Sequence, residues 1–138
     1  MSDAAPSRTL QVLVYSDDRN IRDSVITALG PRPAPELGVI EVTQVATGPA
    51  VVAMVDAGSF DLLILDAEAA PVGGMGLARQ LKDEVYECPP ICLLVARPQD
   101  GWLATWSRAE AIAMRPVNPL ALAETAADLL RQRVAVAS

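Results

Sequence analysis

Short apolar runs alternate with longer stretches of helical periodicity from one end of the chain to the other. Leu10–Tyr15 (LQVLVY) is a nearly continuous apolar run that ends in Ser16, Asp17 and Asp18. Such a run predicts a strand buried on both faces. Arg19–Leu29 places Ile21, Val25, Ile26 and Leu29 at helical offsets, and Gly30-Pro31 stops the helix. Val39–Val45 (VIEVTQV) is β-branched and half alternating, the pattern of a strand near a sheet edge. Pro49 is a suitable first helical residue, and that helix closes at Ala57 and Gly58. Phe60–Leu65 (FDLLIL) predicts a buried strand followed by Asp66, a loop over Ala67–Gly73, and a helix over Gly74–Val85. Ile91–Ala96 (ICLLVA) predicts a further buried strand, and Asp100 is placed to cap a short helix through Arg108. Ala111–Met114 (AIAM) is a short strand, after which Asn118 and Pro119 open a last helix with Leu122, Ala126, Leu129, Leu130 and Val134 on its buried face.

The predicted order is five strands, each followed by a helix. Strands separated by helices pair in parallel, with helices on both faces of the sheet. No internal repeat, low-complexity tract or linker interrupts the 138 residues, which make one domain. Aromatic residues are 4% of the chain, so the core is aliphatic. Residues 1–8 are polar and small and read as a disordered tail; residues 9–134 form the domain, and 135–138 a C-terminal tail.

Eleven basic residues face seventeen acidic ones, a net charge of -6. A nucleic-acid surface needs a basic stripe, which these totals do not supply. The chain has no histidine, so histidine-based triads, metal sites and pH switches are excluded. Cys88 and Cys92 flank Pro89-Pro90 and read as inert buried thiols rather than half of a zinc site. No apolar stretch of about 18 residues exists to span a membrane, and the N-terminus lacks the basic-then-apolar layout of a signal peptide. The expected location is the cytoplasm.

In an open parallel sheet, ligands bind beyond the carboxyl ends of the strands. Two predicted strands end in acid, the first at Asp17 and Asp18, the third at Asp66. Adjacent strands would bring Asp17 and Asp66 together, and clustered carboxylates need a cation. A hard, oxygen-seeking ion such as Mg²⁺ is the natural one. A carboxylate in that setting can attack a phosphoryl group. Asp18 stands where a helix begins and reads as a loop or cap residue.

Over about Leu10–Arg133 the chain resembles the receiver domains of response regulators, the CheY-like family. The resemblance rests on element order, on Asp66 followed eight positions later by Gly74, and on Arg115-Pro116 after the last strand. It implies a flavodoxin-like three-layer sandwich with a five-stranded parallel sheet of order 2-1-3-4-5 and five helices. It also implies a non-enzymatic phosphorelay protein that takes a phosphoryl group on Asp66 from a histidine kinase or phosphotransfer protein. Mg²⁺ would be held by Asp17, Asp66 and the backbone carbonyl of Glu68, with Asp18 recruited if the register shifts. The departures are specific. Counting back from Arg22, one acid of the family's usual pair is Ser16, which predicts weak Mg²⁺ binding. The family's hydroxyl residue after the fourth strand is Val95, its lysine is Arg115, and its aromatic switch residue is Ile112. Arginine keeps the charge but spreads it over a planar fork. The Arg115-Pro116 bond is expected to be cis on this resemblance.

Trp102 and Trp106 lie one helical turn apart, with Leu103 the inward-packing neighbour. With Ile112 they are the candidate interaction face for a downstream protein or a second copy. The chain ends a few residues after its last helix, so a separate output domain is not expected. Two functions compete: a stand-alone receiver phosphorylated at Asp66, and a phosphate-independent pseudo-receiver that acts by shape. A flavodoxin-like ligand-binding role ranks below both, because Ser16-Asp17-Asp18-Arg19-Asn20 would repel a phosphate rather than cradle it.

Overall fold

A computed structural model describes residues 8–137, and all of their side chains except those of 99, 103, 104, 136 and 137. The elements are β1 (Leu10–Tyr15), α1 (Arg19–Leu29), β2 (Ile40–Val45), α2 (Gly48–Ala57), β3 (Leu62–Asp66), α3 (Gly74–Glu84), β4 (Ile91–Val95), a 3₁₀ turn (Pro98–Asp100), α4 (Trp102–Ser107), β5 (Ala111–Met114) and α5 (Pro119–Ala137). The five strands are parallel in the order β2-β1-β3-β4-β5. This is the expected three-layer sandwich.

The sheet forms because β3 and β4 are buried at every position and apolar at all but Asp66, and β1 is both at all but Gln11. Alternation sends their side chains to opposite layers. Val12, Val14, Ile64 and Leu94 pack against Val25 and Leu29 of α1 and Leu122, Ala126 and Leu130 of α5. Leu13, Leu63, Leu65 and Leu93 face Val51 and Val55 of α2 and Leu77, Ala78 and Leu81 of α3. Each fully buried aliphatic side chain contributes about 1.5–3 kcal/mol. The edge strand β2 is only half buried, in line with its mixed sequence.

Several local expectations are corrected. Asp100 does not cap α4: Pro98 starts a 3₁₀ turn, Gly101 precedes the helix, and the Asp100 carboxylate binds Arg97 at 2.8 Å. On α5, Ala127 is buried and Val134 partly exposed. The helix packs on α1 and the sheet together, so its covered face is wider than one leucine ridge and is lost as the helix outruns the sheet. The helix continues through Ala137. Of the N-terminal segment only Arg8 is described. The inward packing of Leu103 lies outside the described side chains. Asn118 caps α5 as expected, accepting the Ala121 N–H at 3.0 Å. Cys92 is buried and its thiol is pushed up to about 12 by that burial; burial also raises Cys88. Among the described residues no helix is long and apolar enough to cross a membrane.

Asp61 immediately precedes β3 at the amino end of the sheet and is itself buried. Burial works to raise its carboxyl, but is overcome by a bidentate bond from Arg8 (2.7 and 2.9 Å), the Gln11 N–H at 2.8 Å, and the charges of Arg8 and Arg133. The net result lies below the ordinary value of 3.8. A carboxyl depressed by folding stabilises the native state above its unfolded value, and that contribution is lost as pH falls through the folded value. Thermal melts of Asp61→Asn should therefore show a lower Tm than the parent near neutral pH. The gap should close as pH drops below 3.8; a gap independent of pH would refute the assignment.

Candidate functional site

The parallel pairing of β1 with β3 sets Tyr15 beside Leu65, so the next residues, Ser16 and Asp66, emerge together at the carboxyl end of the sheet. Asp66 is only 1% exposed. Its Oδ2 accepts the Ser16 hydroxyl at 2.7 Å, and its Oδ1 accepts the Glu68 N–H at 2.9 Å. The Ser16 Oγ in turn accepts the Asp18 N–H at 3.0 Å, so the hydroxyl proton is left for Asp66. β5 supplies the cation. The Arg115 N–H donates to the Val95 carbonyl at the end of β4, and the Arg115 Nη1 reaches Asp66 at 3.2 Å. The Arg115-Pro116 bond is cis, as expected, and so is Ala70-Pro71. Arg22 of α1 pins the first loop, donating to the Ser16 carbonyl at 2.7 Å and to Gln44 at 3.1 Å.

The glycine spacing after Asp66 has a steric cause. A Cβ on Gly74 would lie 2.9 Å from the Asp66 backbone carbon and oxygen. Helix α3 can begin this close to the strand end only with glycine there. The intervening loop is tied down by the Tyr15 hydroxyl, which donates to the Val72 carbonyl at 2.5 Å. Tyr15 is raised above its ordinary value first by burial, then by the negative charges of Asp17 and Asp66. Both carboxylates therefore act on the same end of β1.

Asp17 is exposed, and no hydrogen bond or ion pair joins its side chain to another described residue. Asp18 caps α1, accepting the Asn20 N–H at 2.8 Å. The Glu68 carboxylate is exposed and accepts the Ala96 N–H at 3.4 Å. Beside Arg115, the partner of Asp66, opens a hollow of about 440 Å³ lined by Ile21, Glu68, Ala96, Arg115 and Pro116. A larger hollow of about 530 Å³ lies at the opposite end of the sheet around Arg8, Asp61, Cys88 and Arg133, away from the strand ends where carboxylates converge. Among the described residues no three acidic, histidine or cysteine side chains gather into a metal cage. The carboxylates at this end of the sheet are those of Asp17 and Asp66, whose charges both act on Tyr15. That set fits Mg²⁺, which takes one or two carboxylates and keeps several waters.

Val95 is fully buried and offers no hydroxyl to the site. Ile112 is 38% exposed on β5, Trp102 69% and Trp106 47% on α4. Sequence reasoning missed what secures α4. The Arg79 guanidinium lies 5.3 Å from the Trp106 ring centroid and donates to the Trp106 carbonyl at 2.8 Å, while Asp83 pairs with both Arg79 and Arg108. The i,i+4 spacing of Arg79 and Asp83 was visible; their partner helix was not. Ser16 was likewise read only as a lost acid, although a short hydroxyl residue beside a buried carboxylate is a natural donor.

No family model matches the sequence. An uncharacterized response regulatory protein of Mycobacterium tuberculosis, found in two strains, is 53% identical over 125 residues, covering 91% of this chain and 94% of the relative. The chain belongs to the response regulators. Solved receiver structures share the fold of this response regulator at lower identity. The chemotaxis response regulator CheY4 of Vibrio cholerae has a TM-score of 0.74 at 23% identity, covering 88% of this chain and 99% of that one. The Thermotoga maritima response regulator TrrA, solved in complex with Mg²⁺ and BeF, has a TM-score of 0.71 at 24% identity, covering 87% and 98%. The fold and the place of this response regulator in two-component signalling follow from these likenesses.

Two substitutions test the site's architecture. Ser16→Ala leaves a buried carboxylate without one donor and should cost about 1.5–3 kcal/mol, the worth of a hydrogen bond to a charged group. Gly74→Ala should be more damaging still, because the Asp66 backbone has to move. Denaturant unfolding checks both; a Gly74→Ala protein as stable as the parent would contradict the close approach.

Proposed function

We propose that this response regulator is a single-domain, non-enzymatic receiver whose phosphoryl acceptor is Asp66. The convergence of the Ser16 hydroxyl, the Glu68 N–H and the Arg115 guanidinium on one buried carboxylate carries the reading. The relatives support the single-domain part, since the chain spans 94% of their length. The donor is a phosphohistidine of a histidine kinase or phosphotransfer protein. An Asp66 carboxylate oxygen attacks phosphorus, the phosphorus–nitrogen bond breaks, and the imidazole nitrogen keeps the bonding pair. Arg115 faces the charge of the transferred group, and Ser16 and the Glu68 N–H hold the aspartate in place. Asp17, Asp66 and the Glu68 carbonyl would hold Mg²⁺, which neutralises charge when bound. The complex of the Thermotoga protein with Mg²⁺ and BeF supports this choice. With Ser16 in place of an acid, its affinity here is weak. The acidic chain works in the cytoplasm on protein partners, without nucleic acid or membrane.

A second reading is favoured by Val95 and Ile112. Neither supplies the hydroxyl or the aromatic ring that would move on phosphorylation, so the output face of Trp102, Trp106 and Ile112 is the same with and without phosphate. That face takes a downstream protein or a second copy.

Incubation with phosphoramidate and Mg²⁺, followed by intact mass, should add one phosphoryl group to the parent and none to Asp66→Asn. No addition to the parent would end the acceptor reading. Trp102→Ala should weaken the partner or dimer contact by roughly thirtyfold, the equivalent of about 2 kcal/mol. If Asp66→Asn abolishes that contact and Trp102→Ala does not, the shape-only reading fails. Ser16→Asp should tighten Mg²⁺ in a calorimetric titration, because it restores an acid beside Asp66.

A further inference from the structure

The hollow beside Arg115 is already lined by an anion. Glu68 leaves the β3–α3 loop and turns its carboxylate toward β4, where Oε2 accepts the N–H of Ala96, the first residue past the strand. The same hollow is lined by Arg115, which spends Nη1 on Asp66 and carries further N–H donors on its planar fork. Any tetrahedral oxyanion approaching Asp66 meets these two groups, the Ala96 N–H and the Arg115 fork. Among the described residues Glu68 is not ion-paired with Arg115, and its carboxylate accepts from the Ala96 amide. The carboxylate is exposed and held by one long bond, so it is displaceable and adds a like charge to whatever enters.

We propose that the Glu68 carboxylate is a built-in competitor for phosphate-class anions, seated on the Ala96 N–H beside Arg115 and opposing their approach to Asp66. The proposal deepens the acceptor reading above and rests on it for its consequence in signalling. Phosphoryl uptake is slowed by a residue of the chain itself, and a partner that draws Glu68 off Ala96 would release it. Glu68 is a positioning residue here: it touches the anion seat, not the reacting atoms.

The test uses the full chain with inorganic phosphate as probe, followed through the Ala96 amide resonance. Glu68→Gln keeps the size and removes the charge; Glu68→Ala removes both. Without phosphate, the Ala96 resonance should shift in each variant. Phosphate should bind both variants at least about threefold more tightly than the parent, the order of effect of removing one nearby like charge in a water-like dielectric. In parallel, intact mass after phosphoramidate treatment should show faster addition in both variants and none when Asp66→Asn is combined with them. Unchanged phosphate affinity in both variants, or no phosphate binding in any of the three proteins, overturns the proposal. Tighter phosphate binding with no covalent addition in any protein upholds the anion seat and overturns the acceptor reading alone.

Discussion

Asp66 is a negative charge at the buried end of a parallel sheet, and the need to compensate it organises the structure around it. A carboxylate out of water is tolerated only when it is paired and hydrogen-bonded. Three separate stretches of chain meet that need: Ser16 after β1, the Glu68 N–H just past β3, and Arg115 after β5. Each is delivered by the strand order, since the residues following neighbouring parallel strands emerge on one side. The donors are thus supplied by the backbone topology, and local loop sequence only selects their chemistry.

Two of these groups set the chemistry of the cluster. The hydroxyl of Ser16 adds a donor without a charge, and the guanidinium of Arg115 holds Asp66 through Nη1 while its planar fork carries other donors. The same sheet carries a second buried acid, Asp61, at its other end, where Arg8 and the Gln11 N–H compensate it. One sheet therefore holds two compensated carboxylates, Asp66 at its carboxyl end and Asp61, which ties the start of β3 to the chain's N-terminal side.

Helix α4 stands apart from this framework. It has six residues, and its described contacts run through polar groups and the Arg79–Trp106 stack on α3. Trp102 is left largely in solvent, with Ile112 and Met114 of β5 half covered nearby. Large apolar side chains in such a position mark a surface suited to another protein. The Arg79 contacts from α3 hold the Trp106 end of that surface.

The sequence by itself determined the elements, the class of fold and the end of the sheet at which Asp66 emerges. Apolar runs of five or six residues between helical repeats can only become a parallel sheet covered on both faces, and acids just past such strands point to its carboxyl end. Gly74, Arg115 and Asp66 were legible because their spacing is local to a loop or a strand end. What only the tertiary structure decided is which of these groups touch. Ser16 donates to Asp66, Glu68 reaches Ala96, Arg79 stacks on Trp106, and Arg8 closes on Asp61 across 50 or more positions in two of these pairs. Such contacts depend on strand order and on the direction each side chain leaves its turn, and hydrophobic periodicity carries neither. The burial of Ala127 and the exposure of Val134 were hidden for the same reason: a helix's own pattern does not say how far the sheet beneath it extends.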